Sequence, residues 1–241
     1  MQPTPPNDAG ASLDSPPMQG KIRWIMVLAG FAAVSVLVAG FVLRDALPMA
    51  HGAAAPTQPG PIDIGFAQSM TLHHQQAIAM SQLMLDERPS GLTPLAKQVA
   101  YGQLIELGEM RGWLRLWDAP LMPLKVDMNW MLLGAAPPSA DLLSYLLACS
   151  QSPTGMSGLA TNEEVNALRA LEGPARDKRY LEMMLAHHLG GLPMARFAAE
   201  EARLKVVREL GLRVVLEQER EVQFIRQALA AIDAMALQPN H

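Results

Sequence analysis

The chain has 241 residues, half of them hydrophobic but only 5% aromatic, and 19 Lys+Arg against 23 Asp+Glu give a formal net charge of −4. That balance excludes a strongly basic nucleic-acid binder, because a phosphate backbone is gripped by a dense excess of Lys and Arg. A single cysteine, Cys149, excludes an internal disulfide framework and any multi-cysteine zinc or iron–sulfur site, while 16 methionines outnumber the 12 aromatics.

Residues 1–21 form a tail rich in Pro and small polar residues, read as cytoplasmic. An uncharged run of 20 residues follows from Trp24 to Leu43. A helix of that length covers about 30 Å, the thickness of a bilayer core. Lys21 and Arg23 precede it, so the positive-inside rule puts the N-terminus in the cytoplasm and the bulk of the chain outside it. A cleaved signal peptide is the rival reading. Its apolar region is usually shorter, and Pro56 directly after Ala53-Ala54-Ala55 makes a poor cleavage site. The reading is therefore a transmembrane signal anchor over 22–44: a single pass through the inner, cytoplasmic membrane, with the bulk in the periplasm or extracellular space. A Pro/Ala/Gly linker follows over 45–61.

From there to 235 the pattern is helical, with no sustained alternation and no Asn-Gly hairpin signal. The first long helix is expected from Asp63 to about Glu87, where Arg88-Pro89-Ser90-Gly91 breaks it. Thr93 offers an N-cap with Pro94 at the first helical position, for a second helix to about Trp117. An insertion over 118–173, richer in Pro, Gly and Met, holds a short helix at 140–149. A second short helix is opened there by a capping box at Thr161 and Glu164. Pro174 opens a long segment to about Glu201, and a last helix covers about Val206 to Met235. Four long helices in two pairs with short loops imply antiparallel neighbours. The fold class is all-α: a four-helix bundle of two hairpins, about 62–117 and 174–235, with the insertion between them.

The two pairs are copies. Asp63-x2-Phe66-x3-Met70-x2-His73-His74-x5-Met80 recurs as Asp177-x2-Tyr180-x3-Met184-x2-His187-His188-x5-Met194, offset by 114. Gln103-x2-Glu106-x3-Met110 recurs as Gln218-x2-Glu221-x3-Ile225, offset by 115. Such self-similarity marks a duplicated hairpin. At 100° per residue, Met70, His73, His74, Met80 and Met84 fall on one face about 120° wide, and the second copy repeats this. A Met stripe alone is ordinary core, and a lone buried His is ordinarily structural. Two adjacent His, duplicated and flanked by Met, point instead to a metal. Imidazole with thioether suits copper, and thioether favours Cu(I). Zinc sites use Cys, His and carboxylate, and a di-iron bundle wants Glu-x2-His where this chain has Met-x2-His. The candidate ligands are Met70, His73, His74, Met80, Met184, His187, His188 and Met194, with Glu106 and Glu221 behind them as partners of the ligands. On axial rise, Met70 groups with His73 or His74, and Met80 falls to a separate site or to packing. Trp113, Trp117 and Cys149 read as core.

These residues carry a resemblance. The doubled F/Y-x3-M-x2-HH-x5-M pattern with its following Q-x2-E helix resembles the bacterial family known as domain of unknown function 305, over about residues 62–232. Gly155-Met156 and Trp113-Leu114 fit it too. The resemblance implies a ferritin-like helical bundle, usually exported or membrane-anchored. In some members Met and His residues bind copper and support copper tolerance. Carried over position by position, it points to the same eight Met and His residues. The second copy departs from the first at Gly190-Gly191-Leu192-Pro193. An interior proline is expected to kink that helix and make Met194 inequivalent to Met80.

The functional expectation is a membrane-anchored, extracytoplasmic copper-binding protein for storage, delivery or tolerance. Two readings compete with it: a metal-free helical interaction module with structural buried His, and a copper-dependent redox enzyme. No G-x-S-x-G, H-E-x-x-H, P-loop or dinucleotide fingerprint is present.

Overall fold

The computed structural model describes residues 57–236. The tail and apolar anchor expected over 1–44, and most of the linker, lie outside the described residues. Among those described, no helix is long and apolar enough to cross a membrane.

Six α-helices and one 3₁₀ turn make up the described chain, and no strand occurs in it. They are α1 (Pro61–Leu83), α2 (Thr93–Leu116), the turn Asn129–Leu133, α3 (Ala140–Gln151), α4 (Asn162–Ala170), α5 (Gly173–Glu201) and α6 (Lys205–Ala236). The expected hairpins are α1–α2 and α5–α6.

Several helix ends differ from the sequence expectation, each for a local reason. Helix α1 stops at Leu83 rather than near Glu87. The buried Arg176 guanidinium takes the Leu83 carbonyl and reaches Asp86 Oδ1 at 3.1 Å. That satisfies an orphan carbonyl and places a cation at the negative end of the helix. Asp86 then turns the chain by accepting the Arg88 N–H at 3.0 Å. Thr93 is not the N-cap of α2 but its first residue, with Leu92 in the cap position. Ser90 does the capping work from outside, its hydroxyl accepting the Leu92 N–H at 3.0 Å. The Thr161–Glu164 capping box forms as expected. Helix α5 runs unbroken through Pro193. The proline lies half-buried on the outer side while Gly190, Gly191, Leu192, Met194 and Ala195 around it are buried, so packing carries the helix past the missing N–H.

The hairpins meet along α1 and α5, which run antiparallel. Contacts pair Asp63 with Leu204, His73 with Gly191, and Ser81 with Tyr180. The Asp that opens each repeat explains part of this docking. Asp63 is fully buried and accepts the Gly60 N–H at 2.7 Å and the Leu204 N–H at 2.8 Å, tying the start of α1 to the α5–α6 turn. Asp177 accepts the Ser90 hydroxyl at 2.7 Å, tying the start of α5 to the α1–α2 turn.

The insertion lies over the α1–α5 seam. Trp130 packs edge-on to Phe66 and Phe197, and its indole N–H donates to Ser69 Oγ at 3.0 Å. Gln76 makes two hydrogen bonds to the Ala160 backbone, at 2.7 and 2.8 Å. Gly158 has φ +84°, and a Cβ there would lie 2.4 Å from the Ala186 carbonyl, so only glycine fits. Cys149 is buried, as expected, whereas Trp113 and Trp117 stack on each other half-buried at the margin of the core.

Candidate metal centre

All eight candidate ligands are fully buried. The antiparallel pairing of α1 and α5 sorts them into three levels. Phe66, Met70, Met110 and Met194 belong to one apolar cluster; Met80, Met84, Tyr180 and Met184 belong to a second. The four imidazoles lie between these clusters along the helices. Met70 stands about 4.5 Å along α1 from His73, and Met194 about 10 Å along α5 from His187, both toward the same end. Met184 and Met80 mirror them toward the other end. The sequence expectation grouped Met70 with His73 or His74 on axial rise and left Met80 to a separate site or to packing. The fold instead puts one methionine from each repeat at each level, because the copies run in opposite directions. Met194 therefore shares the level of Met70, and Met80 that of Met184.

At the centre, the rings of His73 and His187 lie 3.7 Å apart, centroid to centroid, tilted by 37°. The His187 Nε2–H donates to the His73 carbonyl at 2.8 Å. A Cβ on Gly191 would come within 2.7 Å of the His73 ring, so this glycine makes room for the imidazole. The first copy carries Ala77 at the matching position, which makes the two halves unequal at this point.

His74 and His188 turn outward toward the second helix of their own hairpins. Each Nε2–H donates to a carboxylate: His74 to Glu106 Oε2 at 2.7 Å, His188 to Glu221 Oε2 at 2.6 Å. In the neutral ring, such a bond puts the proton on Nε2 and the lone pair on Nδ1. The Nδ1 atoms of His74, His187 and His188 have no hydrogen-bond partner, and neither nitrogen of His73 has one. Burial holds the pKa of His73 and of His187 well below the ordinary 6.5, and the neighbouring imidazoles add to it. Both rings are therefore neutral, the form that ligates metal.

An unpartnered buried polar nitrogen is costly, about 1–3 kcal/mol each. Four imidazoles sharing that defect between two methionine levels fit a soft or borderline cation. Among the described residues, no three His, Cys, Asp or Glu side chains converge where they could hold a metal by themselves.

Two further pairs belong to the surroundings of the imidazoles. Gln103 and Gln218 are 4% and 2% exposed, and no amide atom of either has a partner. They line a groove of about 310 Å³ between α2 and α6, together with Glu106, Glu217 and Glu221. Burial raises the Glu217 pKa, and repulsion from Glu106 and Glu221 adds to it. Sequence reasoning placed the glutamines in the repeat but gave them no part. Their signal was available, since each stands three residues before the carboxylate that holds a histidine.

The model of the family described as "Domain of unknown function (DUF305)" matches residues 63–229. No curated protein matches the chain at a significant level. Among solved structures, a secreted-protein candidate of the DUF305 family from Streptomyces coelicolor is 31% identical. That alignment covers 75% of this chain and 97% of that one, with a TM-score of 0.60. A DUF305 fragment from Deinococcus radiodurans is 22% identical, with coverage of 72% and 99% and a TM-score of 0.54. CopM in its Cu(I)-bound form is 21% identical, with coverage of 70% and 96% and a TM-score of 0.49.

Proposed function

We propose that this chain, which belongs to the DUF305 family, is a membrane-anchored copper-binding protein that holds its metal outside the cytoplasm, for storage, delivery or tolerance. The observation that carries this reading is the layer of four buried imidazoles, each with an unpartnered nitrogen, flanked on both sides by methionine sulfur. Met70 and Met194 with the adjacent imidazoles form one donor set, and Met80 and Met184 form the other. Thioether plus neutral imidazole is the donor combination that suits copper, and thioether selects its reduced state. Glu106 and Glu221 orient His74 and His188 through Nε2, the usual task of a carboxylate behind a metal-binding imidazole. Zinc is disfavoured by the absence of three converging Cys, His or carboxylate donors among the described residues.

The anchoring rests on the uncharged run Trp24–Leu43 and the basic residues before it. Burial of the donors in a bundle core suits retention of an ion more than turnover of a substrate.

Metal analysis of the full-length chain in detergent, after loading with copper and desalting, tests the reading. Met→Leu swaps conserve volume and keep the core packed. Retained copper is expected to fall by about half in Met70→Leu/Met194→Leu and again in Met80→Leu/Met184→Leu. Copper content unchanged in the quadruple Leu variant, or no copper retained by the wild type, sinks it.

A further inference from the structure

Helices α1 and α5 pack directly on each other, but α2 and α6 stand apart. Long side chains cross between them: Gln98 Nε2 reaches Glu221 Oε1 at 3.2 Å, and Arg213 reaches Glu109 Oε1 at 2.7 Å and Glu106 Oε1 at 4.0 Å. The groove they bridge is the one that exposes the outer edge of the His–Glu pairs. Its floor is Gln103 and Gln218, buried with both amide groups unpartnered. A sequence built only for stability would place apolar side chains there, since two buried unsatisfied amides cost free energy. Its rim is Glu217, an exposed carboxylate in the field of Glu106 and Glu221; Arg220 lines the same groove and Arg213 pairs with Glu109, so three carboxylates there stand against two guanidinium groups.

We infer that this groove is the port through which a hydrated metal cation reaches the buried imidazoles, with Glu217 capturing it and the Gln103 and Gln218 amides replacing its water. The inference rests on the copper reading. The carboxylates do not converge as a trio on a bare ion. What they suit is an ion still carrying its water, held by charge and through-water contacts. The amide oxygens are neutral acceptors, able to take over solvation without trapping the ion. Beyond them the Nδ1 lone pairs and the thioethers bind more strongly. The port therefore governs rate, and the interior governs capacity.

The test is stopped-flow loading of the full-length chain with Cu²⁺ chloride, followed by the absorption of the copper–imidazole complex, with copper content measured at the end point. Glu217→Gln is expected to slow loading about three- to tenfold at low salt and to weaken its salt dependence, as loss of electrostatic steering requires. Glu209→Gln, an exposed carboxylate elsewhere on α6, leaves the rate unchanged. Gln103→Leu/Gln218→Leu is expected to slow loading about tenfold or more while raising Tm, because it removes the unsatisfied amides. End-point copper stays at the wild-type value in both the Glu217 and the Gln103/Gln218 variants. Wild-type rates in both, or a loss of end-point copper in either, overturn the port while leaving the copper reading intact. A wild type that takes up no Cu²⁺ also overturns it. In that case the copper reading falls too only if Cu(I), supplied under reducing conditions, is likewise not retained.

Discussion

The Tyr180 hydroxyl lies 2.9 Å from Ser81 Oγ, both buried, and the residues in the matching positions of the other repeat are Phe66 and Ala195. One end of the α1–α5 seam thus carries a hydroxyl pair where the other carries two apolar groups of similar shape. Burial pushes the Tyr180 hydroxyl's pKa up, so it stays protonated. A buried pair of this kind gains little when both members are present and costs more when one is removed. Tyr180→Phe and Ser81→Ala should each destabilise by about 1–2 kcal/mol. The double variant should cost less than the sum, because it recreates the Phe/Ala solution of the other end. A denaturant-melt double-mutant cycle measures the coupling; strict additivity would refute it.

Gly190 sits under the insertion so closely that an added Cβ would lie 2.1 Å from the Ser157 carbonyl. Backbone atoms cannot yield as a side-chain tip can. Gly190→Ala should therefore cost about 1–3 kcal/mol, the usual range for overpacking. Gly108 and Gly112 on α2 meet nothing within 4 Å. Their replacement by Ala should stabilise by about 0.5–1 kcal/mol each through helix propensity. Opposite signs in parallel urea melts are the expected result.

The metal-free domain should lose stability on mild acidification. His73 and His187 have folded pKa values depressed below the ordinary 6.5 by burial. Between the folded and unfolded values the unfolded chain binds more protons, so stability falls as pH falls. It is fully present above about pH 6.5 and declines below it by up to about 1.4 kcal/mol per pH unit for each ring. Melting temperatures of chelator-treated protein at pH 7.5, 6.5 and 5.5 read this out, and a flat profile contradicts it.

The paired Asp latches are unequal. Asp63 is fully buried and serves two backbone N–H groups, so Asp63→Ala leaves both without that acceptor. It should cost about 3 kcal/mol. Asp177, half-buried and bonded to one hydroxyl, should cost about 1 kcal/mol when replaced by Ala. Chemical denaturation of the two variants side by side ranks them, and an equal or reversed order would defeat the assignment.

Much of this was readable from the residues. The 114-residue offset between the His pairs disclosed the duplication, and the helical period placed Met70, His73, His74 and Met80 on one buried face. What the sequence could not reveal was partnership across the seam. Spacing along α1 grouped Met70 with the histidines of its own helix and left Met80 to a separate site or to packing. Only the opposed direction of α5 brings Met194 to the level of Met70. Helix ends failed where distant groups decided them, as Arg176 does at Leu83 and Asp177 does at Ser90. Gln103 and Gln218 were visible as repeated letters. Their missing partners became meaningful only once the gap between α2 and α6 was known.

The opposed run of α1 and α5 has a consequence for ancestry and design. Each level of sulfur takes one residue from either copy, so a lone hairpin already encodes half of every level. Two identical hairpins meeting about a two-fold axis would regenerate the whole interior. Joining them in one polypeptide removes the requirement of symmetry. Each half is then free to diverge, as Gly191 against Ala77 and Tyr180 against Phe66 have done.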